Sequence, residues 1–547
     1  MFKKFIVATN ILVFASLIIF TSPVLAQGNP PNQPVDVAWL LPAALTLLFP
    51  LGLLLLMSSA MPEATAPKAA INLLVGWGLA ALAYFAIGFA FQFGGIAQVS
   101  PNPDFSNLYW EWYPLDQSVP VEVARSWGVV ALQGWFLNGA VATPGVLTLF
   151  LTHVALVGTA AMIPAGVLLQ RERFAAAQVI SLCMGGLIYP LVGNWVWGGG
   201  WLSQLGASLN YGHGLVDFGG AGVVFLTAGA VALVALYLFP TAQTLADFGS
   251  DDLIVSTPTE RLTVYDPVDN YGEDSADLLP ATPMPSAYLP ILSMLGGGLM
   301  ILGWFGLAGG LHAPTALNFS AGHAAVSGLL AALAATTTTA AYSAFTTREF
   351  NPLMVGRGLV AGLVVTTAAA PFVPIWLSVV TGLVMGLLVP LLIYLLDQRL
   401  PLADHLGTVV TYGISALISL LLVAFFATGQ AGQGWNGLGL TEFRGVADQG
   451  VSGLVVASSF ASDWPSQLQA QLLGGGVILV WALVTAWIIF QTFIAVESAW
   501  QRSGLEWPGS SPDRDTFETE TTSEVAPPVG EMADEDSGST QEVVVHR

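Results

Sequence analysis

Residues 218–239 read FGGAGVVFLTAGAVALVALYLF, twenty-two positions without a charge. A helix rises about 1.5 Å per residue, so roughly 20 apolar residues cross the hydrocarbon layer of a bilayer. Runs of this length recur along the chain, at about 37–58, 70–92, 144–169, 175–196, 287–308, 317–343, 354–371, 374–395, 405–427 and 469–494. Of the 547 residues, 54% are hydrophobic and 9% charged, against about 25% charged in an ordinary soluble domain. A soluble fold is excluded. The predicted class is an all-α polytopic membrane protein with eleven transmembrane helices.

The net charge of −21 is concentrated. Nine acids lie between Asp247 and Asp277 and ten between Asp513 and Glu542, out of 35 in the chain. Both segments lack the apolar content to fold alone and read as disordered. They serve as solvated, self-repelling appendages or as docking sites for a basic cytoplasmic regulator. The single cysteine, Cys183, removes any intrachain disulfide. Lys3 and Lys4, the apolar stretch Phe5–Phe20 and Val24-Leu25-Ala26 before Gln27 make a signal peptide of 1–26. A transmembrane domain of 27–499 follows, with the acidic insert at 247–285 and a tail at 500–547.

Basic residues orient the spans. With the mature N-terminus outside, Lys68, Arg171, Arg173, Arg261, Arg348, Arg357, Arg399, Arg502, Arg514 and Arg547 face the cytoplasm, and Arg125 and Arg444 face out. Such asymmetry is the positive-inside pattern and predicts a plasma membrane location with a cytoplasmic C-terminus. Hardly any acid lies within a span, which argues against a carboxylate relay and for a neutral or weakly charged substrate. No hydrolase, zinc or phosphate-loop pattern stands in a plausible context, so no enzyme, cofactor, metal or nucleic-acid partner is expected. Eleven spans divide as five plus five plus one, a count that admits an inverted repeat with passage between the halves.

The run Asn194-Trp195-Val196-Trp197-Gly198-Gly199-Gly200-Trp201-Leu202, then Asp217-Phe218-Gly219-Gly220, resembles the signature of the ammonium transporter (Amt/Rh) family. Gly303-Trp304-Phe305-Gly306 and Arg357-Gly358-Leu359-Val360-Ala361-Gly362 resemble its sixth- and eighth-helix motifs. The resemblance covers about Val35 to Glu497. It implies the ammonium-transporter fold, ammonia or ammonium as substrate, and a homotrimer with a pore in each subunit.

Carried over residue by residue, the resemblance is uneven. It implies that Trp197 recruits substrate at the outer mouth and that Asp217 accompanies it in a largely structural role. The position of the recruiting serine is Leu311. The family's paired pore histidines fall at Phe225 and at Val409, and its two gate phenylalanines at Leu156 and Leu307. Val409 is anchored by Asp404, Gly407 and Gly413-Ile414, and a shift of one turn brings Tyr412 into its place. His153 stands where the family often has glutamine, as a replacement proton group or a packing histidine. A lumen lined by Leu156, Phe225, Leu307, Val409, Tyr412 and His153 dewets and raises the barrier to ions. The expected activity is passage of ammonia or ammonium. The alternatives are a sensor or assembly subunit without transport, and a channel for another small neutral molecule.

Overall fold

The computed structural model describes residues 37–114, 126–240, 288–310, 314, 319–400, 402–431 and 435–503. The signal peptide, the acidic insert, most of the tail and the positions of Arg125, Leu311 and His312 lie outside the described residues. Ten described helices are long and apolar enough to cross a membrane, and an eleventh is shorter. In chain order they are α1 (Leu40–Ser59), α2 (Ala66–Gln98), α3 (Pro144–Gln170), α4 (Phe174–Trp197), α5 (Ala221–Leu238), α6 (Tyr288–Gly309) and α7 (Ala321–Thr347). Then come the short α8 (Pro352–Val364), α9 (Ile375–Arg399), α10 (Val409–Phe426) and α11 (Ser466–Arg502). The compact unit ends at Val496, and the last turns of α11 fall to a second unit beginning at Glu497.

Helix starts follow local chemistry. Thr143, Ser320 and Asn351 each accept, through the side chain, a backbone N–H three residues on and so cap α3, α7 and α8. Proline stands in the first turn of α3 and α8, where its missing N–H is harmless.

The eighth span departs from expectation. A helix over 354–371 was expected, but α8 ends at Val364 and residues 365–373 run in turns. Thr366 and Thr367 donate their hydroxyls back to the carbonyls of Leu363 and Val364 at 3.0 and 2.8 Å. The freed carbonyls of Thr367 and Ala368 accept N–H groups from Gly219 and Phe218 at 2.9 and 3.3 Å. Pro371 and Pro374, which lack an N–H, close the segment. Broken backbone survives at membrane depth here because neighbouring protein satisfies it.

Packing repeats between the halves. α2 packs on α3 and α4, as α7 packs on α8 and α9, while α1 meets α6 and α5 meets α10. This is the five-plus-five arrangement with α11 added. Glycine lets the backbones approach in both central contacts. Gly296 and Gly303 of α6 face α1 so closely that a Cβ on either would stand 2.5 Å from backbone atoms of Gly52 or Phe49. A Cβ on Gly229 of α5 would stand 2.8 Å from the Cα of Gly413 in α10. Gly229→Val is therefore expected to cost on the order of 3 kcal/mol, since backbone on both sides leaves no side chain to yield. Gly476→Val in α11, which meets open space, should be neutral; size-exclusion profiles of the two variants in detergent compare them.

One side of the bundle carries two small antiparallel pairs. β1 (Glu111–Trp112) pairs with β2 (Val130–Ala131), and β3 (Glu442–Phe443) with β4 (Val446–Ala447). The opposite side carries Arg171 and Arg357. Arg171 donates from Nε to the Phe239 carbonyl at 2.5 Å and from Nη2 to that of Leu402 at 2.6 Å, tying the end of α5 to the approach to α10.

Candidate functional site

Asp217 sits where the chain turns into α5. Its Oδ1 accepts the N–H groups of Gly220 and Ala221 at 2.9 and 2.7 Å, and its Oδ2 those of Gly222 and Val223 at 2.8 and 3.0 Å. These four donors are those a helix start leaves without partners. Asp217 thus caps α5, and its oxygens are engaged with backbone. Its own carbonyl accepts the Trp197 indole N–H at 2.7 Å. Trp197 is buried at 1% exposure, with the His153 ring centroid 5.4 Å away.

α10 repeats the device on the opposite side. Asp404 accepts the Thr408 hydroxyl at 3.0 Å and the Val409 N–H at 2.9 Å. Both capped starts run directly into a π turn, Ala221–Leu226 in α5 and Val409–Ile414 in α10. Those wider turns decide which side chains meet. Phe225 stacks on Tyr412, with ring centroids 6.1 Å apart and planes 10° from parallel, and Phe49 lies against Phe225 at 5.9 Å. Val409 is not in this stack: it is half-buried while Tyr412 is buried. Across the two π turns it is therefore Tyr412, one turn beyond Val409, whose side chain meets Phe225.

Leu156 and Leu307 are buried at 2% and 1% exposure, on α3 and α6. His153 lies in a closed aromatic and polar box. Its Nδ1 is 2.8 Å from the Tyr189 hydroxyl and 3.3 Å from Gln92 Nε2, and Tyr84 donates its hydroxyl to Gln92 Oε1 at 2.8 Å. Tyr84, Gln92 and Tyr189 were not singled out from sequence. Each reads as one more residue of an apolar span, and no local pattern shows that they converge on His153.

Above this box, on the strand-bearing side, Glu111 of β1 is 8% exposed and accepts the Asn194 amide at 3.3 Å. Burial lifts its carboxyl to about 7, against the lowering effect of Asn194. Asp463 pairs with Arg444 at 2.5 Å, yet burial still raises it to about 6. His213, packed 3.9 Å from the Phe443 ring, is driven down to about 3 by burial and by the nearby Arg444. It stays neutral at ordinary pH.

Comparison with known proteins agrees with this geometry. The model of the Ammonium Transporter Family matches residues 37–252 and 285–496. Ammonium transporter Amt2 of Archaeoglobus fulgidus is 27% identical over 405 residues, 74% of each chain. Ammonium transporter Amt1 of Haloferax mediterranei is 24% identical over 483 residues, 86% of this chain and 76% of its own. Among solved structures, one titled Sensor Amt Protein is 20% identical with a TM-score of 0.59, covering 84% of this chain and 93% of that one. Candida albicans Mep2 is 19% identical with a TM-score of 0.58 and 83% coverage of each. At such identities the structures establish a shared fold. With the family match spanning both halves on either side of the insert, the chain is a multi-pass membrane protein that belongs to the Ammonium Transporter Family.

Proposed function

We propose that the chain carries ammonium nitrogen across the plasma membrane as neutral ammonia, through a passage in each subunit of a homotrimer. Trp197 receives the substrate on the strand-bearing side, which faces out, and the arginine-bearing side faces the cytoplasm. The excess of basic residues on the latter side supports this orientation.

The observation that carries the reading is the Phe225–Tyr412 stack between the two capped helix starts. Two aromatic rings and Phe49 form an apolar septum with a single hydroxyl. Ammonium ion has to shed its water to enter such a place and finds only one hydroxyl and the ring faces in exchange, whereas ammonia sheds far less. Leu156 and Leu307 extend the apolar lining, and His153 stands beside Trp197 as the nearest group able to take a proton.

Liposomes holding the purified protein test this. An ammonia gradient is expected to change internal pH without an ammonium-induced current. Phe225→His combined with Tyr412→His, which sets two imidazoles in place of the stacked rings, is expected to bring a current. A current from the unaltered protein overturns the neutral reading. Silence in both assays from correctly assembled protein moves the assignment to a sensor or assembly subunit.

A further inference from the structure

The exposed apolar side chains of α2 and of the segment after it are sorted by position along the membrane normal. On α2 they are aliphatic: Ile71, Leu74, Val75, Leu82 and Ile87. Of the next five exposed large side chains in the chain, Tyr109, Trp110, Trp112, Leu132 and Trp135, four are aromatic. Trp110 and Trp112 are 42% and 48% exposed on one face of β1, and strand alternation turns Glu111 between them to the other face, against Asn194 of α4. Asp104 accepts the N–H of Gly145, so the two acids among the described residues of this segment are both turned away from the aromatic face.

The backbone fixes the depth of this face. Trp110 donates its N–H to the carbonyl of Gly94 in α2 at 2.9 Å. Gly94 is 26 residues from Lys68, the basic residue at the other end of the helix, or about 39 Å along its axis. A bilayer measures roughly 40–45 Å with its headgroup layers, so Trp110 stands at headgroup level when Lys68 stands at the opposite surface. The turn after β2 reaches deeper. Trp135 packs 5.4 Å from the ring of Phe91, one turn below Gly94, and Phe136 packs 5.9 Å from that of Phe85, nine residues below.

Tryptophan and tyrosine collect where water meets hydrocarbon, because the ring is apolar and its N–H or O–H is not. An interface with another protein has no reason to change from aliphatic to aromatic at that depth. We propose that the β1–β2 pair and the turn 132–137 form a membrane anchor, with Trp110 and Trp112 seated among the lipid headgroups of the strand-bearing side and Trp135 at the edge of the hydrocarbon. β1 is then held between lipid on one face and α4 on the other. This holds whatever the passage conducts.

The test uses the full chain in phosphatidylcholine vesicles. In a Cys183→Ala background, which removes the one cysteine, a bimane is attached at Leu132→Cys or, for reference, at Glu442→Cys on the exposed part of β3. Quenching by phosphatidylcholine spin-labelled near its headgroup is divided by quenching by iodide present on both sides of the membrane, so quenching by nearby tryptophans cancels. The ratio is expected to be well above that of the reference at 132, and to fall to it when Trp110→Ser and Trp112→Ser are added. Equal ratios at 132 and 442 in the chain with both tryptophans overturn the proposal, whether or not the serine variant folds. Shielding of 132 from both quenchers also overturns it, because a neighbouring subunit then covers the face. An unchanged ratio after loss of both tryptophans does the same, since the sheet is then held by α2 alone.

Discussion

Asp217→Ala is expected to leave no stably folded protein. The carboxylate satisfies four consecutive backbone N–H groups in a fully buried place. A buried donor left without a partner costs about 1–3 kcal/mol, so four of them reach roughly the whole stability of a domain. The loss spreads further, because the Asp217 carbonyl also holds the Trp197 indole. Asp217→Asn should be intermediate, since its one oxygen serves two of the donors and its NH2 faces the other two. Yield and monodispersity in mild detergent should therefore fall in the order native, Asn, Ala. Full yield from the alanine variant would show that the start of α5 finds other partners.

The second large effect depends on pH. Glu111 titrates from 4.5 when free to about 7 in the fold, chiefly because it is buried. A raised carboxyl pKa means that the folded state holds its proton more tightly than the unfolded chain does. Its contribution is therefore fully present below pH 4.5, declines as pH rises through about 7, and is constant above. A shift of this size corresponds to roughly 3 kcal/mol. Glu111→Gln removes the dependence while keeping an acceptor for Asn194. The native protein is expected to lose several degrees of apparent melting temperature relative to Glu111→Gln between pH 5 and pH 8. Parallel curves would show that the carboxyl is solvated, and that β1 opens more readily than its packing against Asn194 suggests.

Much of this architecture is legible in the residues. Spans such as Phe218–Phe239 announce themselves by length and lack of charge, and ten of the eleven appear as full-length helices. α8 escaped because hydropathy measures apolar content and not helicity. Residues 365–373 are as apolar as a helix, but their threonines and prolines divert the backbone. Trp197 and Asp217 were found by motif, and the structure joins them through one hydrogen bond. The Phe225–Tyr412 pairing was half legible. The Asp404 anchor gave Val409 with Tyr412 one turn on as the other choice, and the π turn in which both stand has no signature in hydrophobic periodicity. Glu111 and Asn194 stand 83 positions apart, and nothing in either neighbourhood points to the other.

The glycine contacts between the halves bear on how the molecule moves. Alternating access asks one half to rock against the other, and interfaces that rock have side chains that slide or exchange partners. Here α1 meets α6, and α5 meets α10, backbone to backbone, with no room for a methyl group at Gly229, Gly296 or Gly303. At these points the joints have no slack to take up. On the neutral-ammonia reading proposed above, halves joined this closely are expected to conduct as one frame, without rocking. Flux through such a frame is expected to rise in proportion to the ammonia gradient over a wide range, and initial rates in liposomes at increasing gradients check this.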